Sequence, residues 1–290
     1  MNGLLVLDKP AGMTSHDVVA IVRRATGERS VGHLGTLDPM ATGVLPLLLG
    51  KYTRLAQFFG AAEKHYTGAI QFGWSTDSFD ADGERSSEPQ ALTRSLEELR
   101  EFEKQFHGEL DQIPPVFSAK KINGVPAYKL ARAGKEVPVK PARITIHDFT
   151  LNSLGGDTAE FAMHVSAGGY VRSVAHELGQ LAGCGAHLAS LRRTAAGPFT
   201  LEEAIPITEL KSLSPEQIES RCIHPRLLLP EMPSVIVDET VSGKIRNGMQ
   251  ANVPEFSRAP LLKLFTSPQD LLGIARRVAG TLVQPTVVLG

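Results

Sequence analysis

Two spacings of apolar residues alternate along this chain, and the switches between them mark its elements. Leu4 to Leu7 is an unbroken apolar run that reads as a short buried strand, followed by a Lys9-Pro10-Ala11-Gly12 turn. Helical spacing begins near Ser15, whose hydroxyl suits an N-cap; Val18, Val19 and Val22 form the apolar stripe and Gly27 ends it. Val44 to Leu49 is a second apolar run. From Tyr66 to Phe72 the period becomes two, with Tyr66, Gly68, Ile70 and Phe72 on one face and Thr67, Ala69 and Gln71 on the other. Leu92, Leu96, Leu99, Phe102 and Phe106 return to helical spacing, and Ser95 and Glu98 are placed for a capping box. Ile144 to Phe149 and Phe161 to Val165 alternate again, and Val174, Leu178 and Leu181 are helical. This irregular order predicts a mixed α+β domain rather than a βαβ repeat.

A proline-flanked connection, Leu229-Pro230-Glu231-Met232-Pro233, precedes a tail of short apolar runs at Val235 to Val237, Leu261 to Phe265, Leu271 to Ile274 and Val287 to Leu289. The reading is one large domain over residues 1–230 and a small β-rich module over 231–290. With 42% hydrophobic and 21% charged residues the chain is an ordinary folded globule. It shows no basic leader and no apolar stretch near the roughly 20 residues that span a bilayer, so a cytoplasmic location without membrane contact is expected. Cys184 and Cys222 are too far apart in sequence, and too few, for a disulfide framework or a cysteine zinc site.

The formal net charge of -1 hides an uneven distribution. Between Lys120 and Arg143 there are seven basic residues (Lys120, Lys121, Lys129, Arg132, Lys135, Lys140, Arg143) against the single acid Glu136. Such a segment is either a solvated basic loop or a surface for a polyanion such as RNA. Acidic Asp77, Asp80, Asp82, Glu84 and Glu88 restore the balance.

Candidate chemistry is narrowed by elimination. Gly50-Lys51 lacks the upstream glycine of a phosphate loop. Asp80-Ala81-Asp82-Gly83 begins like a calcium loop, but Pro89 stands where its glutamate belongs, so the stretch is assigned to a loop. The nine histidines show no paired ligand spacing, and a metal-free site is expected. No G-x-S-x-G elbow is present, and Ser15 and Ser173 read as helix-starting residues.

What remains is Gly32-His33-Leu34-Gly35-Thr36-Leu37-Asp38-Pro39-Met40-Ala41-Thr42-Gly43, which sets one carboxylate among glycine-rich turns. Its composition fits an ordinary β-turn or a preformed mount for a nucleophile. A carboxylate nucleophile must stay ionised in a closed pocket, and an arginine partner does that best. Gly168-Gly169-Tyr170-Val171-Arg172-Ser173 offers Arg172 at a strand-to-helix transition; the other reading of Arg172 is a surface residue. Tyr66 opens a strand, either as core or as a stacking platform, acid or base.

These residues together resemble a known family. The string G-H-L-G-T-L-D-P-x-A-T-G-V-L-P at Gly32 to Pro46, with D-K-P-x-G-x-T-S at Asp8 to Ser15, is similar to bacterial tRNA pseudouridine-55 synthases of the TruB type. The likeness continues through K-x-Y at Lys64 to Tyr66, P-P-x-F-S-A-x-K at Pro114 to Lys121 and A-Y-x-x-A-R-x-G at Ala127 to Gly134. It ends with G-Y-V-R-S at Gly169 to Ser173 and L-R-R at Leu191 to Arg193, covering about residues 3 to 205 in order. The tail resembles, more weakly, the PUA-like RNA-binding module of these enzymes.

The resemblance implies a mixed-sheet pseudouridine synthase domain with a basic RNA-binding segment at about 114–143. It implies that Asp38 is the nucleophile attacking a flipped uridine, at the sugar C1′ or at the ring, that Tyr66 stacks on the base and takes part in removing the C5 proton, and that Arg172 pairs with Asp38. Leu191 would line the pocket, His33 would stack within the remodelled T-loop, and Lys9, counted with them among the substrate-binding residues, would support the active-site loop. Lys120, Lys121 and Arg132 would bind RNA phosphates. No cofactor, nucleotide or obligatory protein partner is implied, and a monomer acting on the T-arm of tRNA is expected. Two other readings are a tRNA-folding chaperone, in addition or instead, and a guide-RNA-dependent relative, which the short chain without long charged tails disfavours. On the first reading, removing residues after about Pro230 would weaken RNA affinity more than chemistry.

Overall fold

The structure is a computed structural model that describes residues 1–115, 117, 121–122, 125–126, 130 and 140–290. Its centre is a mixed sheet. Strands β1 (Gly3–Lys9), β2 (Val31–His33), β3 (Thr42–Leu49), β4 (Lys64–Phe72) and β5 (Gly108–Gln112) come from the first part of the chain. Short β6 (Lys121–Ile122) and β7 (Val125–Pro126) pair only with each other. Then β8 (Ala142–Gly155), β9 (Thr158–Val165), β10 (Ala186–Ala196), β11 (Phe199–Thr200) and β12 (Ile205–Pro206) complete the sheet in the order β12-β1-β3-β10-β4-β9-β8-β5, with β2 on β3 and β11 on β10. Most neighbours are antiparallel, but β3 and β10 run parallel, as do β1 and β12. The mixed α+β architecture is therefore as expected.

Both faces of the β1-β3 half are covered, which explains why those strands read as unbroken apolar runs. Leu5, Leu7, Leu45 and Leu47 face one core, shared with helices α1 (Ser15–Thr26), α2 (Leu96–Glu103) and α3 (Val171–Ala182) through Val18, Val22, Leu99, Val174 and Leu178. Leu4, Val6, Val44 and Leu48 face a second core, where they meet Phe265, Ile274, Val287 and Leu289 of the C-terminal module. That module is a five-stranded sheet of β13 (Ser234–Ile236), β14 (Ala251–Asn252), β15 (Leu261–Phe265), β16 (Leu271–Ala279) and β17 (Leu282–Val288), with one helix, α4 (Glu239–Arg246), before β14. It has its own interior, built from Val235, Ile245, Leu262, Leu264, Leu272 and Val283.

The connection between the two parts is buried rather than loose. Leu228, Leu229 and Met232 belong to the shared core, and the Lys263 ammonium donates to the carbonyls of Arg226 (2.8 Å) and Leu228 (2.6 Å). Deleting the tail would strip the cover from Leu4, Val6, Val44 and Leu48, so a truncation reports stability before it reports RNA affinity.

Some local expectations need correction. Thr14, not Ser15, caps α1, in a capping box with Asp17; the Ser15 side chain is buried and spent elsewhere, as shown below. Gly27 does end the helix in a left-handed conformation. Helix α2 begins at Leu96 with the expected Ser95–Glu98 box, so Leu92 precedes it. Leu181 of α3 is 39% exposed, off the buried stripe. Ser173 does not cap α3; its hydroxyl donates to the Ile113 carbonyl (3.0 Å). Among the described residues no helix is long and apolar enough to cross a membrane.

Candidate active site

A transverse row of the sheet organises the site. Lys9 of β1 lies opposite Gly43 of β3, Gly43 opposite Arg193 of β10, Arg193 opposite Tyr66 of β4, and Tyr66 opposite Met163 of β9. The parallel β3–β10 step is tight: a Cβ on Gly43, whose φ is +101°, would sit 2.1 Å from the Arg193 carbonyl oxygen. Only glycine fits there. Leu191 lies two residues before Arg193, opposite Gly68, and is buried. Tyr66 and Leu191 share one continuous core with Leu37.

The Asp38 loop is held at four points. The Ser15 hydroxyl donates to the Leu37 carbonyl (3.1 Å) and accepts from the Leu37 amide (2.9 Å). Lys9 is wholly buried, and its ammonium donates to the carbonyls of Pro10 (2.9 Å), Pro39 (3.2 Å) and Ala41 (2.6 Å). Arg193 donates to the carbonyls of Val44 (2.7 Å) and Gly35 (3.1 Å). Within the loop, the Ala41 amide returns to the Asp38 carbonyl (3.1 Å), closing a turn with Pro39 at its second position. Burial pulls the Lys9 ammonium down to about 8, against the nearby charge of Asp38. Lys9, expected among the substrate-binding residues, is thus occupied with backbone carbonyls and has no surface to offer RNA. Of the glycines, Gly35 and Gly43 adopt positive φ, whereas Gly32 lies in β2 without one.

Arg172, the second residue of α3, joins three further segments to this loop. Its Nη2 donates to Asp38 Oδ1 (3.3 Å) and to the Phe117 carbonyl (2.9 Å); its Nη1 donates to Asp80 Oδ2 (3.0 Å) and to the Ser78 carbonyl (3.1 Å). Its Nε lies 3.0 Å from Asp38 Oδ2, close enough for ion pairing but without hydrogen-bond geometry. The expected Asp38–Arg172 pair is present, and Arg172 is a buried centre rather than a surface residue. The start of α3 is clamped by Gln112, which accepts from the Tyr170 amide (2.7 Å) and donates to the Tyr170 carbonyl (3.0 Å).

Asp80 is the partner that sequence reasoning missed. It lies in the stretch assigned to a loop, and the structure turns its carboxylate inward. Ser78 Oγ and the Asp82 amide bind its Oδ1 (2.5 and 3.2 Å), while Oδ2 receives Arg172. The loop is stitched to β10, where the Leu188 amide donates to the Phe79 carbonyl (2.9 Å) and the Leu188 carbonyl accepts from Ala81 (3.0 Å). Phe79 itself holds φ at +65°, and its ring stacks on His176, one turn beyond Arg172, at 3.9 Å. Arg193 and Ser15 were also outside the expected site. Ser15 and Arg193 lay within the quoted motifs and Asp80 in none of them, and local spacing does not mark which polar side chains become buried.

Burial pushes the Asp38 carboxyl up; Arg172 opposes the rise and Asp80 adds to it. The arrangement can present an anionic oxygen on a hydrogen-bonded turn against a fixed cation, and the buried Tyr66 lies on β4, which β10 separates from β3. His33 ends β2, half-buried, with its ring edge-on to His16 at 5.8 Å and its Nδ1 without a hydrogen-bond partner. Burial, aided by His16 and Arg193, holds its imidazole below the ordinary range. Lys120, Arg132 and the side chain of Lys121 lie outside the described residues. Of the basic segment, Arg143 is exposed and paired with Glu109 (2.7 Å).

Comparison with known proteins gives concordant results. The family model described as "TruB family pseudouridylate synthase (N terminal domain)" matches residues 23–171, and that described as "tRNA pseudouridylate synthase B C-terminal domain" matches 172–230. The chain is 46% identical to "tRNA pseudouridine synthase B" of Solibacter usitatus over 293 residues, covering 100% of both chains. It is 38% identical to the protein of the same description from Aquifex aeolicus, covering 97% of this chain and 98% of that one. Its fold is similar to a chain in a solved H/ACA RNP bound to a substrate RNA containing 2'-deoxyuridine, with a TM-score of 0.66 over 99% of this chain and 85% of that one, at 22% identity.

Proposed function

The chain belongs to the TruB family of tRNA pseudouridine synthases, and from that premise we propose that it isomerises uridine 55 in the T-loop of tRNA with Asp38 as nucleophile. The observation that carries the assignment is the environment of Asp38. Its side chain is 33% exposed on a loop tied at four points, and Arg172 is the one residue seen to bond it among those described. Lone pairs remain on both oxygens, while the arginine favours the ionised form that attack requires.

The reaction breaks the bond from C1′ to N1 of the base and rejoins C1′ to C5. The C5 proton leaves and N1 gains one, so the isomerisation balances without an oxidant, a reductant or a nucleotide. Asp38 bonds covalently to the sugar at C1′ or to the base at its ring, and that bond breaks again as C1′ is joined to C5 and the product is released, which returns the free carboxylate. Tyr66, on β4, stacks on the base and takes part in C5 deprotonation, and Leu191, on the paired strand β10, lines the pocket. Drawing the uridine out of its stack costs a few kcal/mol, which the fitted pocket and His33, inserted in the T-loop, offset. The basic segment holds phosphates, and the β-rich tail acts as a PUA-like RNA-binding module. The protein works as a monomer on bare tRNA.

The test is tritium release from C5-tritiated uridine in an unmodified T-arm transcript, without added metal or nucleotide. Asp38→Asn, nearly isosteric and uncharged, is expected to abolish release while tRNA binding stays within about tenfold, or roughly 1.4 kcal/mol. Retained turnover in that variant overturns the nucleophile assignment. The same inactive variant reads any tRNA-folding role separately, since refolding of a misfolded transcript would survive the loss of chemistry.

A further inference from the structure

On the sheet face opposite Tyr66, four side chains converge that the proposed chemistry does not use. His65 follows β4 out of the Tyr66 face and lies in register with His164 of β9, so both project from the opposite side. The His164 Nε2 is 2.7 Å from Glu63 Oε2, and the His147 Nε2, from β8, is 3.0 Å from Glu63 Oε1. The potential donor atoms of Glu63, His147 and His164 all lie within 4.8 Å of one another. The rings are ordered: His65 stacks on His164 at 3.9 Å and 14°, and His147 leans on it at 4.5 Å and 34°. Glu63 is anchored through its carbonyl, which accepts from the Gly197 amide (2.8 Å).

We propose that Glu63, His147 and His164 form a binding site for a borderline divalent transition ion, of which Zn(II) is the representative. Two imidazole nitrogens and one carboxylate make a donor set that suits zinc and its neighbours and disfavours calcium and magnesium, which take oxygen ligands. Tetrahedral zinc with bonds of about 2.0–2.2 Å needs donor separations of roughly 3.3 Å, so the N–O gaps of 2.7 and 3.0 Å must open by about 0.6 and 0.3 Å. Glu63 and His147 are exposed, which gives the ion a way in and leaves water for a fourth position. The ligands come from the approach to β4 and from two other strands, so the site has no spacing signature in sequence. A bound ion would pin β8, β9 and the start of β4 together behind Tyr66.

The experiment is calorimetric titration of the chelator-treated full chain with Zn(II), alongside thermal unfolding with and without the ion. One site in the micromolar range and a raised unfolding temperature are expected in the wild type. Both should weaken by about tenfold or more in affinity terms in His147→Ala and in His164→Ala. Cys222→Ser and His224→Ala, away from the cluster, should leave binding unchanged. Absence of a saturable site, or binding indifferent to both cluster histidines, overturns the proposal. Should those variants fail to fold, the Co(II) spectrum of the wild-type protein decides. Ligand-field bands without a thiolate charge-transfer band support the nitrogen and oxygen donors, and a thiolate band places the ion on a cysteine and rejects them.

Discussion

Asp38 and Asp80 flank one guanidinium at the same 3.0 Å, yet the fold gives them opposite fates. The Asp80 side chain is 5% exposed, and its oxygens are occupied by Arg172, the Ser78 hydroxyl and the Asp82 amide. The Asp38 side chain is 33% exposed, and among the described residues Arg172 alone engages it. A buried carboxylate that already accepts three hydrogen bonds can hold a cation in place but is closed to a substrate. An accessible one facing the same cation can react. On the proposed mechanism the pair teaches that exposure and residual bonding capacity, more than charge or proximity to arginine, separate a reacting group from one that positions it.

Removing what the two carboxylates share tests that contrast most severely. Arg172→Lys keeps the charge but loses the planar fork that reaches Asp38, Asp80 and two carbonyls at once. Losing one or two charge-assisted bonds in the reacting state is worth about 3 kcal/mol, so single-turnover rates should fall by about a hundredfold, with tRNA affinity altered less than about tenfold. Wild-type rates in this variant would remove Arg172 from the working site.

Asp80→Asn separates the two roles more finely. Because Asp80 positions Arg172 and does not react, a loss of about tenfold is expected instead of the abolition foreseen for Asp38→Asn. The pH profile supplies the independent readout. On the proposed mechanism reaction requires ionised Asp38, whose carboxyl is raised by burial and further raised by the Asp80 charge. The wild-type rate should therefore fall, as pH drops, at a higher pH than an ordinary carboxylate would give. Neutralising Asp80 removes a like charge, so the acid limb should move to lower pH. A limb that stays put or moves upward contradicts the electrostatic coupling, whatever the size of the rate loss.

The legible and illegible parts of this site differ for a physical reason. Asp38 could be read because its turn needs glycine and proline, and those needs are local. The strand at Tyr66 to Phe72 could be read because burial of one face imposes a period, and that at Leu4 to Leu7 because burial of both faces makes an unbroken apolar run. The stretch around Asp80 has the same turn chemistry as any solvated acidic loop, and what sets it apart is its attachment to Leu188, more than a hundred residues later in the chain. Ser15 looked like a helix cap because serine favours that position, but Thr14 took the cap and freed the Ser15 hydroxyl for Leu37. Lys9 carried a motif position without disclosing that its ammonium would be used up on carbonyls. The histidine and glutamate cluster was invisible for the same reason as Asp80, since strand pairing creates it.

The smallest expected effect tests how the Asp80 loop is aimed. Phe79 lies between the Ser78 carbonyl and the Asp80 carboxylate that both receive Arg172, and it holds a positive φ that costs a non-glycine residue about 1–2 kcal/mol. The stack on His176 compensates, and it ties the loop to the helix that carries Arg172. Phe79→Gly removes both the backbone penalty and the stack, so folding stability should change by less than about 1 kcal/mol while the loop loses its tether. Turnover should fall by about threefold to fivefold, a barrier change of under about 1 kcal/mol. No charge is altered, so the acid limb should stay where the wild type has it, in contrast to Asp80→Asn. His176→Phe, which keeps an aromatic face and removes a buried Nδ1 that lacks a partner, should leave the rate close to wild type. A shifted acid limb in Phe79→Gly would mean that the ring insulates Asp38 from charge, and the stack would then belong to the electrostatics of the site instead of its geometry.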